Sequence, residues 1–531
     1  MNATTTDLLD CTLRDGGYYT LWDFPRSLVE TYLTSMSKLP VATVELGYCN
    51  VAKPGYAGQY YYLTPETTAW AKGLLSPHQR LAIMLDEKSV EPSQVAELLE
   101  PHRPYVDLVR IAVAPGRLRH SVELCQELHK LDLPVGLNIM YLSKYWDNVA
   151  SLDSIDAAIS SSETLALVDS YGSCTPQQVA RAVSDLVTLY PSARIGFHGH
   201  DNLGLAVANS LAAIDGGASV IDGTVTGMGR GPGNTRTETF IVQQAHGRNE
   251  DVDYSALAGA IGAFDELLAE HRWGTNLVYM ISGAAGLPQN NVMDWLGKNR
   301  YSMPAIIHAL RGDAELSVEI PKVPALAPPV ESIDQVIVIG GGASVADHTD
   351  AITRYADTEG ATVIHATTRH LAVASKLPAG QYLAVAGDNP HAELSTAQRK
   401  QFSAVIVPTG PRFPLEALDY GDVPVREVPP FEINDPTDHL GPVSDVAPLA
   451  LALGAATALG AREVVLVGFD GYSHATLAQQ ELVRETQDLI SAFRAKHPSV
   501  EIRSATRTLY DVPTLSIYAP RAASGVSEGI N

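Results

Sequence analysis

The sequence predicts an α/β protein with a TIM-type (β/α)8 barrel and a helical appendage, followed by a separate Rossmann-like α/β domain. Two observations carry this prediction. Eight short runs rich in β-branched residues alternate with amphipathic stretches over the first 225 residues, which is the rhythm and size of a (β/α)8 barrel. A proline-rich segment then interrupts the rhythm before it restarts. The length of 531 residues also favours more than one domain.

The eight candidate strands of the first domain are bounded by polar or glycine-containing segments. They are residues 7–12, 43–48, 81–86, 106–114, 135–142, 165–170, 194–200 and 220–225. Helical spacing is clearest in residues 27–39, 121–131 and 176–190. A doubly wound open sheet is the alternative architecture, because strand counts from sequence are uncertain by one or two.

The domain boundaries follow from these changes in pattern. We expect a barrel over 1–250, a helical appendage over 251–319, a linker over 320–333, a Rossmann-like domain over 334–520 and a flexible tail over 521–531.

Composition narrows the class of protein. The net charge of −23 disfavours nucleic acid polymers and anionic membranes as partners. No run of 18 apolar residues and no signal-peptide pattern occurs, and the four cysteines lie far apart. We therefore expect a cytoplasmic protein with no membrane or nucleic acid polymer partner. A homo-oligomer is expected as well.

The segment "RIGFHGH" ends a candidate strand with two histidines. Side chains two apart on a strand share a face, so His198 and His200 point the same way at the carboxyl end of the seventh strand. Two imidazoles on one face can bind a divalent metal, although two ligands alone make an incomplete site. Ordinary packed histidines are the alternative.

Two distant segments can complete the site. Asp15 follows the first strand in "LLDCTLRDGG", and Asn234 lies in the glycine-rich "GMGRGPGN" after the eighth. Barrel closure places strand 1 beside strand 8 and strand 7 one further along, so Asp15 and Asn234 can approach the histidines. Oxygen and nitrogen ligands without thiolate favour Mn²⁺, with Mg²⁺, Co²⁺ or Zn²⁺ as alternatives.

The motifs "TLRDGG", "HGHDNLGLAVANS" and "GMGRGPGN" resemble the signatures of the DRE-TIM metallolyase superfamily, also described as HMGL-like. The chain is most similar to its 4-hydroxy-2-oxovalerate aldolase branch, over about residues 7–300. This resemblance implies that Asp15, His198 and His200 bind the metal. It also implies that Arg14 holds an enolate oxygen.

Further residues are carried over from that branch. "LALVDSYGSCTP" implies that Ser170 contacts the carboxylate of pyruvate, and "WGTNLVYMISGAAGLP" implies that Tyr279 lies near the acceptor. Two positions depart from the family pattern. Tyr18 stands where the family has a histidine base, and Leu287 precedes Pro288 where the family has histidine. These departures bear on the acceptor and on the direction of reaction.

Other polar residues leave two interpretations open. Glu45, at the end of the second strand, is either a base or the partner of a barrel-rim arginine. Lys144, after the fifth strand, is a Schiff-base candidate only if the metal site is absent. The aromatic segment "GQYYYLTPE" either lines the acceptor pocket or packs in the interior.

The second domain has a glycine-rich turn between a strand and a helix. Gly340, Gly342 and Ser344 in this turn, with Asp470 in "GFDG", are candidate nucleotide-binding residues. This region is distantly similar to sialyltransferase-like and surface-polysaccharide proteins, which implies a nucleotide or nucleotide-sugar ligand. A domain that only mediates assembly is the alternative.

These observations predict a metal-dependent (class II) aldolase, a carbon–carbon lyase of the 4-hydroxy-2-oxoacid type. It would form a pyruvate-type enolate and add it to, or cleave it from, an aldehyde. The alternatives are an acetyl-CoA-dependent Claisen-type synthase and a bifunctional protein whose second domain binds a nucleotide.

Overall fold

The computed structural model describes residues 6–287, 292–293, 296, 306, 323–328, 333–386, 394–409, 420–431, 447–473, 475 and 477–519. The chain divides into two compact units, residues 1–293 and 294–531. Half of the expected linker is described, at residues 323–328 and 333, and the expected tail lies wholly outside the described residues.

The first unit is a closed barrel of eight parallel strands in sequence order. Its strands are β1 (Asp7–Asp10), β2 (Thr43–Tyr48), β3 (Arg80–Asp86), β4 (Leu108–Val113), β5 (Val135–Ile139), β6 (Thr164–Asp169), β7 (Arg194–Gly199) and β8 (Val220–Gly223). β1 pairs with β8, and β7 pairs with the other edge of β8. The prediction of a (β/α)8 barrel is confirmed, and the open sheet is excluded.

Helices follow most of the strands. They are α1 (Thr12–Thr20), α2 (Arg26–Met36), α3 (Pro65–Leu74), α4 (Val95–Leu99), α5 (Leu118–Lys130), α6 (Ile155–Ser160), α7 (Pro176–Leu189) and α8 (Ala206–Asp215). After β8 come α9 (Thr237–Arg248), α10 (Tyr254–Gly262), α11 (Asp265–His271) and α12 (Leu277–Ala284). Between the barrel strands and these helices lies one large apolar core.

The first strand is shorter than expected, because it ends at Asp10 and α1 begins at Thr12. The buried Asp10 carboxylate accepts hydrogen bonds from the backbone N–H and the hydroxyl of Thr12, at 3.0 and 2.6 Å. These bonds turn the chain out of the strand and into the helix. As a result, the "LRDGGYY" residues lie on a helix that begins at the barrel rim.

The second unit contains a parallel seven-stranded sheet, with strand order β13-β12-β11-β10-β9-β14-β15. Its strands are β9 (Gln335–Ile339), β10 (Thr362–His365), β11 (Gln381–Ala384), β12 (Phe402–Pro408), β13 (Val425–Val428), β14 (Glu463–Val467) and β15 (Glu501–Ser504). Five of these, β9 to β12 and β14, coincide with the apolar runs "QVIVIGGG", "ATVIHAT", "QYLAVAG", "SAVIVPTG" and "REVVLVGFDG", which the sequence indicates as the strands of the second domain. β13 and β15 were missed, because "VREV" and "EIRS" are short and charged.

Helices cover both faces of this sheet. Pro448–Ala458 and Leu477–Lys496 pack on one face, and Thr349–Glu359 packs on the other. Short helices also span Ser344–Asp347 and Thr396–Arg399. The strand order reverses between β9 and β14, so their carboxyl ends form a topological switch point, the usual place for a ligand crevice in such sheets. Across the described ranges, no helix is both long and apolar enough to cross a membrane.

Candidate metal centre

Three predicted ligands come together at the carboxyl end of the barrel. His198 lies on β7, His200 follows the end of β7, and Asp15 lies on α1. One ligand atom from each residue lies within 4.8 Å of the other two, and all three residues are buried. The 183 residues between Asp15 and His198 are bridged by the closure of the barrel through β8.

Both imidazoles are held through Nδ1. His198 Nδ1 is 3.0 Å from Asp222 Oδ2, and His200 Nδ1 is 3.0 Å from the carbonyl oxygen of Asp169. The Nε2 atoms are therefore left as ligands, and His198 Nε2 lies 3.4 Å from Asp15 Oδ2. A histidine fixed through one nitrogen presents the other in a defined direction, as metal sites require.

Asn234 joins the cluster from the glycine-rich loop after β8. Its amide nitrogen donates to Asp15 Oδ2, and its Oδ1 is buried without a hydrogen-bond partner among the described residues. The loop depends on glycine at Gly233, where φ is +85° and a Cβ would lie 2.1 Å from the Gly227 carbonyl oxygen. A buried amide oxygen without a partner fits a weak fourth ligand.

The electrostatics of Asp15 and His200 favour the protonation states that metal ligands need, whereas Asp15 and Asp222 outweigh burial and raise the pKa of His198. Burial opposes ionisation of Asp15, but Arg14 and the neighbouring histidines hold the pKa of its carboxyl well below the usual range. Burial and the adjacent His198 lower the pKa of His200 to about 3. The site therefore presents a carboxylate and a neutral imidazole, which suits a divalent cation.

A second group of potential ligands shares His198. Cys11, His198 and Asp222 also have ligand atoms within 4.8 Å of one another. Burial raises the pKa of the Cys11 thiol well above its usual range, so a thiolate is disfavoured there. Asp222 is already used to orient His198 and to pair with Arg110. The Asp15 set is the better fit to a cation.

Six charged or ionisable side chains around this cluster form a closed ring of contacts, which we call the charge ring. In order, they are Asp15, Arg14, Glu45, Arg110, Asp222 and His198.

The two arginines link the three carboxylates of the charge ring. Arg14 Nη1 lies 2.5 Å from Asp15 Oδ1, and Arg14 Nε lies 2.7 Å from Glu45 Oε2. Arg110 Nη1 is 3.3 Å from the same Glu45 oxygen, and Arg110 Nη2 is 2.5 Å from Asp222 Oδ2. Glu45 is completely buried between two guanidinium groups, a geometry that matches the ion-pair interpretation of this residue.

Ser170 follows β6 and is buried, where its Oγ accepts the Tyr141 N–H at 2.9 Å. Tyr141 stacks on Tyr171, and the Lys144 ammonium lies 5.6 and 5.2 Å from the centres of their rings. Lys144 is exposed. Its ammonium group therefore makes cation–π contacts with these two rings.

The tyrosines of α1 take different positions. Tyr18 is half-buried, with its ring 4.8 Å from that of Trp22 and 5.6 Å from the Arg230 guanidinium carbon. Tyr19 donates to the Gly231 carbonyl oxygen at 2.6 Å and also hydrogen-bonds to Tyr279. Tyr279 is therefore joined to Tyr19 and links α12 to α1.

The other aromatic and polar residues near the site serve the fold. Tyr60 and Tyr61 are buried, and Tyr61 packs against Trp22. Asp201 Oδ1 accepts the Ala206 N–H at 2.9 Å and so caps α8. Leu287 is described, whereas Pro288 lies outside the described residues.

The candidate nucleotide residues of the second unit meet at its switch point. Asp470 accepts hydrogen bonds from both the backbone N–H and the hydroxyl of Ser344. Gly340 and Gly342 donate their N–H groups to the Val467 and Gly468 carbonyl oxygens, at 2.7 and 2.8 Å. The four predicted residues are thus used in bonds between the two loops.

Three polar residues of the site were missed from sequence. Arg110 and Asp222 sit in the middle of apolar strand segments, where an unexplained charge was the available signal. Arg230 belongs to the quoted glycine-rich motif but was not assigned a role. Their significance depends on partners far away in sequence.

The fold and the site together define a class of protein. It is a (β/α)8 barrel with a buried Asp-His-His cluster. The HMGL-like family model matches residues 143–261, which include both histidines and Asn234. The crystal structure of the N-terminal domain of a proposed aldolase from Bacteroides vulgatus is 38% identical, with a TM-score of 0.53, over 57% of this chain and 99% of that one. The chain contains an HMGL-like domain and belongs to this family.

Curated relatives agree with this assignment. A 4-hydroxy-2-oxovalerate aldolase of Serratia proteamaculans is 28% identical over 52% of this chain and 83% of its own length. The same-named enzyme of Stutzerimonas stutzeri is 53% identical over 74 residues, about a fifth of its length. An oxaloacetate decarboxylase of Mycobacterium tuberculosis is 25% identical over 77% of its length.

Proposed function

We propose that the barrel unit is a divalent-metal-dependent aldolase that forms a pyruvate-type enolate and adds it to, or cleaves it from, an aldehyde. The convergence of Asp15, His198 and His200, with Arg14 beside them, is the observation that carries the proposal. The names of the relatives support it, since several are 4-hydroxy-2-oxovalerate aldolases.

The family implies a divalent metal, and the donor set supports one. Asp15, His198 and His200 would hold it, with Asn234 Oδ1 as a weak ligand or as the partner of a coordinated water. A bound divalent cation would supply Lewis acidity to the keto oxygen of a 2-oxo acid. We propose Mn²⁺, because carboxylate and imidazole ligands without thiolate suit it.

Arg14 would bind and stabilise the enolate oxygen. Its bonds to Glu45 and Asp15 use Nε and Nη1, so Nη2 is left for a substrate oxygen. Because Glu45 and Asp15 hold the guanidinium in place, little reorganisation is needed as negative charge develops. We therefore assign Glu45 a positioning role.

Ser170 and the two tyrosines complete the scheme. Ser170, at the end of β6, would bind the carboxylate of the 2-oxo acid. Burial raises the pKa of Tyr279 above its usual value, so its hydroxyl stays protonated beside Tyr19, and we propose that it lies near the acceptor. Tyr18 would transfer a proton to or from the acceptor oxygen, the role that a histidine has at this position in the 4-hydroxy-2-oxovalerate aldolase branch.

Enolate formation tests the proposal without knowledge of the acceptor. We expect exchange of the pyruvate C3 protons with D2O, followed by NMR, and decarboxylation of oxaloacetate, both requiring Mn²⁺. His200→Ala should abolish both, whereas His246→Ala, which removes an exposed histidine from α9, should leave them unchanged. If Asp15→Ala retains both activities, the proposal is wrong. Release of CoA from acetyl-CoA and a 2-oxo acid would select a Claisen-type synthase instead.

For the second unit we propose a nucleotide or nucleotide-sugar at the switch point between β9 and β14. The positive charge of Arg369 supports an anionic ligand, because its Nη1 lies 3.3 Å from the carbonyl oxygen of Gly341 in this turn. A thermal shift of the full chain with nucleoside diphosphates that is lost in Arg369→Ala would support binding. No shift with any nucleotide would refute it. Homo-oligomerisation stays a prediction.

A further inference from the structure

Arg230 is a cation beside the metal centre with no acidic partner among the described residues. It lies in the glycine-rich loop between β8 and α9, which is fastened to α1 by the 2.6 Å bond from Tyr19 to Gly231. Its Nε is buried and has no hydrogen-bond partner in the part of the chain that the structure describes. Its guanidinium carbon lies 5.6 Å from the centre of the Tyr18 ring, and the preceding residue, Gly229, packs against the side chain of Asn234.

The nearby carboxylates are committed to other partners. Each of the three carboxylates of the charge ring bonds to at least one of the two arginines of that ring. Asp201 accepts the Ala206 N–H, and Glu238 accepts the Thr226 N–H, both at 2.9 Å. A guanidinium nitrogen that is buried without an acceptor is unfavourable, so an anion supplied by a ligand would relieve it.

The position of Arg230 indicates which part of the substrate supplies this anion. Ser170, proposed to bind the carboxylate of the 2-oxo acid, follows β6, and β7 separates β6 from β8. Arg230 follows β8 and faces Tyr18, which we assign to the acceptor. The guanidinium therefore lies on the acceptor side.

We propose that the acceptor aldehyde carries an anionic group, a carboxylate or a phosphate, and that Arg230 binds it. This inference rests on the proposed aldolase function. In the reaction, C3 of the 2-oxo acid loses a proton and forms a bond to the aldehyde carbon, whose oxygen takes up a proton. The anionic group is unchanged throughout. Arg230 thus acts in binding and specificity.

The test compares matched acceptors with the full-length protein loaded with Mn²⁺. The carboxylate arm pairs 4-oxobutanoate with pentanal, and the phosphate arm pairs glyceraldehyde 3-phosphate with glyceraldehyde. We expect the wild type to prefer the anionic member of one arm, and that arm identifies the group. Arg230→Ala should lower kcat/KM for that acceptor by about 10–100-fold, the usual value of a charge-assisted contact, and leave its neutral counterpart unchanged.

Two control variants accompany Arg230→Ala. Arg230→Lys keeps the charge and should restore part of the preference. Arg236→Ala removes an exposed positive charge from the same loop and should keep the wild-type preference. Pyruvate C3 proton exchange should be the same in all four proteins, because Arg230 is assigned to the acceptor alone.

The outcomes separate this inference from the function on which it rests. Equal losses for charged and neutral acceptors in Arg230→Ala, or a loss of pyruvate exchange, would overturn it by assigning Arg230 to the 2-oxo acid. A wild type without preference would overturn it as well, while leaving the aldolase proposal intact. A wild type with neither exchange nor decarboxylation would refute both.

Discussion

Replacement of Arg110 by methionine is expected to destabilise the barrel unit strongly. The side chain of Arg110 is 3% exposed, and it lies 3.3 Å from Glu45 Oε2 and 2.5 Å from Asp222 Oδ2. Methionine fills a similar apolar volume but removes the guanidinium bonded to Asp222 and one of the two bonded to Glu45, so that two buried carboxylates lose a cationic partner. Removal of one partner from a buried ion pair costs about 3–5 kcal/mol, so we expect a loss in that range.

Arg80→Met is the matched control. Arg80 also extends from a barrel strand and pairs with a carboxylate, Glu163, at 2.5 Å, but these side chains are 31% and 32% exposed. Water screens such a pair, so the same substitution there should cost about 1 kcal/mol or less.

Urea unfolding followed by tryptophan fluorescence measures both variants. The five tryptophans lie at or before residue 295, so the signal reports mainly on the barrel unit. The double variant Arg110→Met/Asp222→Asn should lose less stability than the sum of the single variants, because the second change removes one of the stranded carboxylates. If Arg110→Met costs no more stability than Arg80→Met, the inference that the buried charge ring stabilises this barrel is wrong.

Two other predictions concern metal affinity and pH. Asp222→Asn should weaken Mn²⁺ binding by about 10–100-fold in calorimetry, because Asp222 orients His198; an equal loss in the exposed Asp251→Asn control would contradict this. Burial lowers the pKa of His365 in the second unit to about 4, although Nε2 bonds to Gln381 Oε1 at 2.7 Å. The unfolded chain, with a histidine pKa of about 6.5, then binds a proton that the folded unit does not. Stability should therefore fall as pH drops from about 6.5 to 4, and scanning calorimetry of His365→Asn should show a shallower dependence; an unchanged slope would rule out this origin.

Much of the barrel was predictable because its signals are local. β-branched runs separated by amphipathic stretches indicate alternating strands and helices, and the expected strand at 43–48 matches β2 completely. The period-two pair of His198 and His200 needs only strand geometry to share a face. Even the approach of Asp15 and Asn234 follows from the order of strands in a closed barrel.

Other features were predicted incompletely because local sequence underdetermines them. The first strand was expected to continue to residue 12, but the Asp10 side chain ends it by bonding to Thr12. β13 and β15 were missed because their short charged sequences are stabilised by pairing with β12 and β14. The sequence of a single strand contains little information about the strand with which it pairs.

The sequence by itself therefore determined the barrel, the second α/β unit and the set of metal-type ligands. Only the tertiary structure decided which groups hold those ligands and which substrate atoms they can face. Arg110 and Asp222 are 112 residues apart, yet their ion pair helps to orient His198. Tyr279 likewise forms a hydrogen bond with Tyr19, which is distant in sequence. The physical reason is that a buried charge or hydroxyl is defined by its partner, and the partner is chosen by how the strands close in space.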